Sequence, residues 1–110
     1  MLHTLGEAYR TCQLRGTSLD PFRALHLATA GGARVTGIAD RVGALLPGQE
    51  ADFVVLDAKS TPLLAHRCRG ASLHDRLFAL QVLGDDRAIA ATYLRGRCAY
   101  AKAAPAETNP

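Results

Sequence analysis

Along the first fourteen residues the apolar side chains Leu2, Leu5, Tyr9 and Cys12 recur at steps of three and four, which predicts a helix with one apolar face. Gly16 follows as its stop signal. A second helix opens at Asp20-Pro21, where the aspartate can accept from free first-turn amides and the proline's missing N–H costs nothing. Phe22, Leu25 and Ala28 make the stripe expected to be buried. At Gly31-Gly32 the helix is expected to end or kink, with Ala33 to Val35 as one more turn before Gly37. The glycine pair reads as close backbone packing. A phosphate loop would need a preceding strand and a Gly-x-Gly-x-x-Gly or Gly-Lys-Thr spacing, and neither is present.

After Asp40 the helical period gives way to strand signals. Val42 to Leu46 is a short run expected to be extended, closed by Pro47-Gly48, a pair suited to a type II turn. Ala51 to Asp57 follows, apolar on both faces between its acids, which predicts a strand covered on both sides and central in a sheet. Nothing in the first 40 residues offers a strand to pair with it. Ala58 to Ala71 is expected to be an irregular connection. Ser72, with Asp75 three residues on, resembles a capping box for a helix whose stripe is Leu73, Leu77, Leu80 and Val82. Gly84 ends that helix and Asp85-Asp86 turn the chain. Ala88 to Leu94 alternates as a strand does, with Ile89, Ala91 and Tyr93 on one face, and Arg97 to Tyr100 returns after a tight turn at Gly96. The last residues, 102–110, are expected to be a disordered tail.

Length and charge narrow this picture. The chain has 110 residues, whereas a (β/α)8 barrel takes about 250, so a complete barrel is excluded. Eleven of the 13 basic residues are arginines scattered from Arg10 to Arg97, without the clustered run or interleaved aromatics of a nucleic-acid surface. No segment approaches a membrane span or a secretory leader, so neither nucleic acid nor membrane is expected as a partner. Cys12, Cys68 and Cys98 are odd in number and far apart, which fits a reducing, cytoplasmic setting and inert thiols.

Candidate chemistry is sparse. His66 and Cys68 are the nearest approach to a metal-ligand spacing, short of the three or four donors zinc needs. Asp85-Asp86 could be a general-base or metal pair, but adjacent acids at a helix exit are usually turn formers. Asp52 and Asp57 flank a strand, where backbone amides are their natural partners, while His3, His26, His66 and His74 lie on separate elements. A Cys12–His26 nucleophile pair has no supporting signature.

Three stretches carry a family resemblance: Thr4 to Tyr9, Leu27 to Arg34 with its Ala-Thr-x-x-Gly-Ala pattern, and Asp40 to Asp57 with its Gly-x-x-x-x-Gly-x-x-Ala-Asp strand. Together with Thr61 to Arg67, Leu77 to Leu80 and Leu83 to Ala88, they resemble the C-terminal portion of the guanine deaminase branch of the metal-dependent amidohydrolase superfamily. The resemblance runs from Met1 to about Tyr100. It implies an α+β fragment: terminal helices of an amidohydrolase (β/α)8 barrel plus C-terminal strands of its composite β-sandwich, with the barrel itself absent. The segments implied are 1–38, helices that flank the barrel; 39–101, part of the sandwich with one inserted helix at about 72–83; and the tail. Met1 falls just after the family's eighth barrel strand, so the chain is expected to be truncated, with either the N-terminal part of the enzyme or another copy of itself as partner.

The family's reaction is zinc-assisted hydrolysis of guanine to xanthine and ammonia. Its ligands lie on a His-x-His of the first barrel strand, on later histidines and on an Asp ending the eighth strand, and none of those motifs occurs in this sequence. The expectation is therefore no catalytic, substrate-binding or metal residue in this chain, no zinc bound to it, and no activity alone. Competing readings are a segment of another amidohydrolase deaminase or chlorohydrolase, and a noncatalytic remnant used for oligomerisation.

Overall fold

The computed structural model describes residues 1–103, and the tail expected at 102–110 lies outside the described residues from 104 onward. Helix α1 (Leu2–Leu14) ends as Gly16 and Thr17 donate their amides back to the carbonyls of Gln13 and Cys12. Helix α2 (Pro21–His26) starts on Asp20, whose Oδ1 accepts from the amides of Phe22 and Arg23 at 2.9 and 3.3 Å. It runs through a π-helical turn (Leu27–Gly31) into α3 (Gly32–Val35). The helix therefore continues through the glycine pair after one wider turn. The pair does pack closely on backbone: a Cβ added at Gly31 would stand 3.1 Å from the His26 carbonyl oxygen and one at Gly32 3.3 Å from that of Leu27, while one at Gly43 would stand 2.9 Å from the Ala33 methyl.

Residues 39–44 form turns and bends and 45–46 no regular element, so the expected extended run at Val42 to Leu46 is not a strand. Its closing turn holds: the Gln49 amide donates to the Leu46 carbonyl at 3.1 Å, with Gly48 at a φ of 88°. Strand β1 (Phe53–Leu56) follows. The connection expected to be irregular contains helix α4 (Pro62–Cys68), capped by the Thr61 hydroxyl accepting from the Leu64 amide at 3.2 Å. Helix α5 (Leu73–Leu83) is capped by Ser72 Oγ accepting from the Asp75 amide at 3.2 Å. A 3-10 turn (Asp86–Ala88) leads into β2 (Ile89–Leu94) and β3 (Arg97–Ala101).

The strands form one antiparallel sheet in the order β1-β2-β3. Ala51 to Asp57 was expected to be central, yet β1 lies at an edge and β2 takes the middle. The partner absent from the first 40 residues is supplied from downstream, with Phe53 opposite Tyr93 and their rings stacked at 4.7 Å. The β2–β3 turn puts Arg95 and Gly96 at φ values of 52° and 77°, the left-handed pair of a two-residue hairpin loop. Asp52 ties β1 to that loop, its Oδ1 accepting from the Arg95 amide at 2.8 Å.

The main core joins Leu64 and Cys68 of α4 to Ala79 and Leu80 of α5 and to Ala88, with Leu2, Leu56, Ala58 and Leu83 packed around it. Two expected stripes are turned differently. On α2, Pro21 and Ala24 are buried whereas Phe22 and Leu25 are exposed, Phe22 meeting only the edge of the half-exposed His74 ring and Leu25 bordering an open concavity against β1. On α5, Gln81 is buried and reaches the Leu19 carbonyl, while Leu73 stands in solvent.

Candidate functional site

Most of the side chains singled out for chemistry are kept apart by the fold, although His3, Asp85 and Asp86 line one open concavity of about 410 Å³. Cys68 is buried in the α4–α5 core while His66, two residues earlier, faces solvent, so the pair diverges. Cys12 is half-buried on α1 and His26 exposed at the end of α2. Asp57 Oδ1 accepts from the Lys59 amide at 2.8 Å, and with Asp52 on the Arg95 amide both strand-flanking acids serve the backbone. Asp85 caps the 3-10 turn through the Arg87 amide and pairs with the Arg87 guanidinium at 2.7 Å. That arginine holds the Asp85 carboxyl below its usual range.

One cluster brings distant residues together. His74, in the first turn of α5, places Nε2 3.0 Å from Asp20 Oδ2 and Nδ1 3.5 Å from Asp75 Oδ1, with its ring edge-on to Phe22 at 5.4 Å. The Asp20 bond, then the Asp75 bond, raises the His74 pKa, and His74 in return lowers that of Asp20. The sequence marks Asp20 as a cap but gives no signal for a partner 54 residues away. The groups are half exposed and line no described cavity, so the cluster acts as a clasp between α2 and α5.

Zinc would need three or four converging donors. Among the described residues no three His, Cys, Asp or Glu side chains are placed to hold a metal ion, so the residues present do not fit a metal centre. No helix of the described residues is long and apolar enough to cross a membrane.

An apolar trough crosses one face of the described residues. One part, about 700 Å³, runs between α2–α3, the 42–45 segment and β1. A second, about 360 Å³, continues beneath α1 toward Ile89 and Tyr93 of β2. Leu25, Ala28, Phe53, Val54 and Leu56 border both. Asp52, already bonded to the Arg95 amide, is the one charged side chain on this surface among the described residues, which otherwise offers mainly apolar contact area.

Comparison with known proteins gives the trough its context. The chain is 50% identical over 101 residues to guanine deaminase of Escherichia coli (strain K12), covering 91% of this chain and 23% of that protein. It is 32% identical over 109 residues to a 5-methylthioadenosine/S-adenosylhomocysteine deaminase of Symbiobacterium thermophilum, again 23% of that protein. The solved structure of E. coli guanine deaminase superposes with a TM-score of 0.89 at 48% identity, over 93% of this chain and 24% of that one. Guanine deaminase from Bradyrhizobium japonicum gives 0.69 at 36% identity, over 78% and 20%. The chain thus spans about a quarter of the length of these relatives, and no (β/α)8 barrel is formed among the described residues. Residues 4–99 match the amidohydrolase family, and the chain belongs to that family.

Proposed function

We propose that this chain is the C-terminal structural segment of a guanine deaminase, an enzyme that hydrolyses guanine to xanthine and ammonia, and that it is inactive by itself. The observation that carries the reading is the likeness to E. coli guanine deaminase, sequence and backbone agreeing over nine-tenths of the chain. In this reading residues 1–103 supply no catalytic, substrate-binding or metal-ligating group. Their work is to present the trough and the free sheet edges to the larger remainder of the enzyme, and the chain alone self-associates through the same surfaces. The reading places the protein in the cytoplasm, supported by its three unpaired cysteines.

The test is a chimera in which this chain replaces the matching 101-residue stretch of E. coli guanine deaminase. Xanthine formation near the parent's rate is expected. A soluble, folded chimera without activity overturns the reading, as does activity that appears only when the chain is placed in the methylthioadenosine/S-adenosylhomocysteine deaminase. Purified chain given guanine and zinc should yield no xanthine above a metal-only blank.

A further inference from the structure

A different cavity, remote in character from the trough, lies where the loop after β1 meets the α4–α5 connection. It measures about 560 Å³, and Lys59, Arg69 and Arg76 line it together with Ala58, Ala65 and Cys68. The three cations come from three parts of the chain: the loop after β1, the C-terminal end of α4 and the early part of α5. No carboxylate lines the cavity. None of the three has an acidic partner among the described residues. The acids nearest in sequence are engaged elsewhere, Asp57 on the Lys59 backbone amide and Asp75 toward His74. The trough differs in kind, being bordered by Asp52 and without any lysine or arginine.

Lys59, Arg69 and Arg76 are exposed side chains around one concavity; their like charges repel one another, and an apolar wall behind them concentrates their field on whatever enters. An anion removes that repulsion. Two guanidinium forks and one ammonium suit phosphate oxygens, the arginines by paired N–H donors and the lysine as a point charge. A bare phosphate ion is too small for the space: cavities of this size fall in the range, about 300–1,000 Å³, that holds small organic ligands. Ala58, Ala65 and the wall at Cys68 offer apolar contact for the organic part.

The structure assigns this cavity, we infer, to a phosphate-bearing small organic molecule, its phosphate held by Lys59, Arg69 and Arg76 and its body against Ala58 and Ala65. This site uses none of the trough residues and stands independently of the guanine deaminase reading.

Isothermal titration of the chain with adenosine monophosphate, inorganic phosphate and adenosine, at matched ionic strength, tests it. Saturable binding of the monophosphate is expected, with inorganic phosphate weaker and competing for the same site, and adenosine silent. Arg69→Gln and Arg76→Gln should each weaken the monophosphate by about tenfold or more, the loss of one charge-assisted contact. Arg97→Gln, on β3, should leave binding unchanged, and circular dichroism checks that each variant is folded. Absence of saturable binding overturns the proposal, as does equal weakening by Arg97→Gln, which would mark diffuse charge attraction. Inorganic phosphate binding as tightly as the monophosphate overturns the organic half of the assignment.

Discussion

Leu64→Ala should remove a large share of the chain's stability. Leu64 is 1% exposed, the largest fully buried side chain, and sits among Cys68, Ala79, Leu80 and Ala88. Truncation to alanine deletes three carbons at about 0.8 kcal/mol each, roughly 2.4 kcal/mol of lost burial. Small alanines line much of the site and helices α4 and α5 fix its walls, so collapse is incomplete; a residual void of about 50 Å³ adds about 1.2 kcal/mol. The expected loss is about 3–4 kcal/mol, against a total of about 5 kcal/mol for a chain of this length at the low end of the usual range. Urea unfolding followed by far-ultraviolet circular dichroism measures it. Leu14→Ala is the control, the same deletion at a side chain 89% exposed, where a change within about 0.5 kcal/mol is expected. A Leu64→Ala loss under about 1 kcal/mol, or one equal to that of Leu14→Ala, would refute the placement of the core.

Gly6→Ala should destabilise although alanine is the better helix former by about 1 kcal/mol. The new Cβ would stand 2.9 Å from the Gln81 carbonyl oxygen, forcing α1 off α5 at a net cost of about 1–2 kcal/mol in urea titration. His74→Gln should lower the melting temperature most between the usual Asp and His pKa values of 3.8 and 6.5. His74, raised by Asp20 and then Asp75, contributes fully below 6.5 and loses that contribution as pH rises through its higher folded value. Asp20, lowered chiefly by His74, contributes above 3.8 and loses it as pH falls through its lower folded value. A difference from the parent that grows toward alkaline pH would contradict the clasp. Under native conditions Ellman's reagent should modify exposed Cys98 first and half-buried Cys12 more slowly, with buried Cys68 reacting only on unfolding. Val54→Thr, at a site 50% exposed on edge strand β1, should be within about 0.5 kcal/mol of neutral in the chain kept dilute enough to be monomeric and cost about 1–3 kcal/mol in the active chimera, where the hydroxyl would be buried.

Local signals were legible in the sequence wherever one residue decides the backbone. Asp20-Pro21, Ser72 and the Gly96 turn each act through the nearest few amides, and each sits where its chemistry requires. The seven residues of helix α4 are too few to display a period, although Thr61-Pro62 is the same cap and proline pair as Asp20-Pro21. Burial was less legible. Phe22 and Leu25 form a sound apolar stripe, yet which stripe is covered depends on residues far along the chain, and here the described chain covers Pro21 and Ala24 instead. The site fared the same way: the clasp of His74 to Asp20 and the three cations around one cavity are products of tertiary placement, with no spacing to announce them.

The exposed apolar residues are what ties fold to function. Singly scattered leucines would need no explanation, but Leu25, Val54 and Leu94 are exposed and border one trough with Leu2, Leu5 and Ile89. The two parts of that trough measure about 700 and 360 Å³ and share Leu25, Ala28, Phe53, Val54 and Leu56, one continuous apolar face of the kind that marks a contact surface. In the E. coli guanine deaminase structure the matching segment is 24% of the chain, so about three times as much polypeptide lies outside it. The proposed function requires that relation: the trough and the open edges of the sheet are then contact surfaces within a larger molecule, and the catalytic groups belong to what covers them.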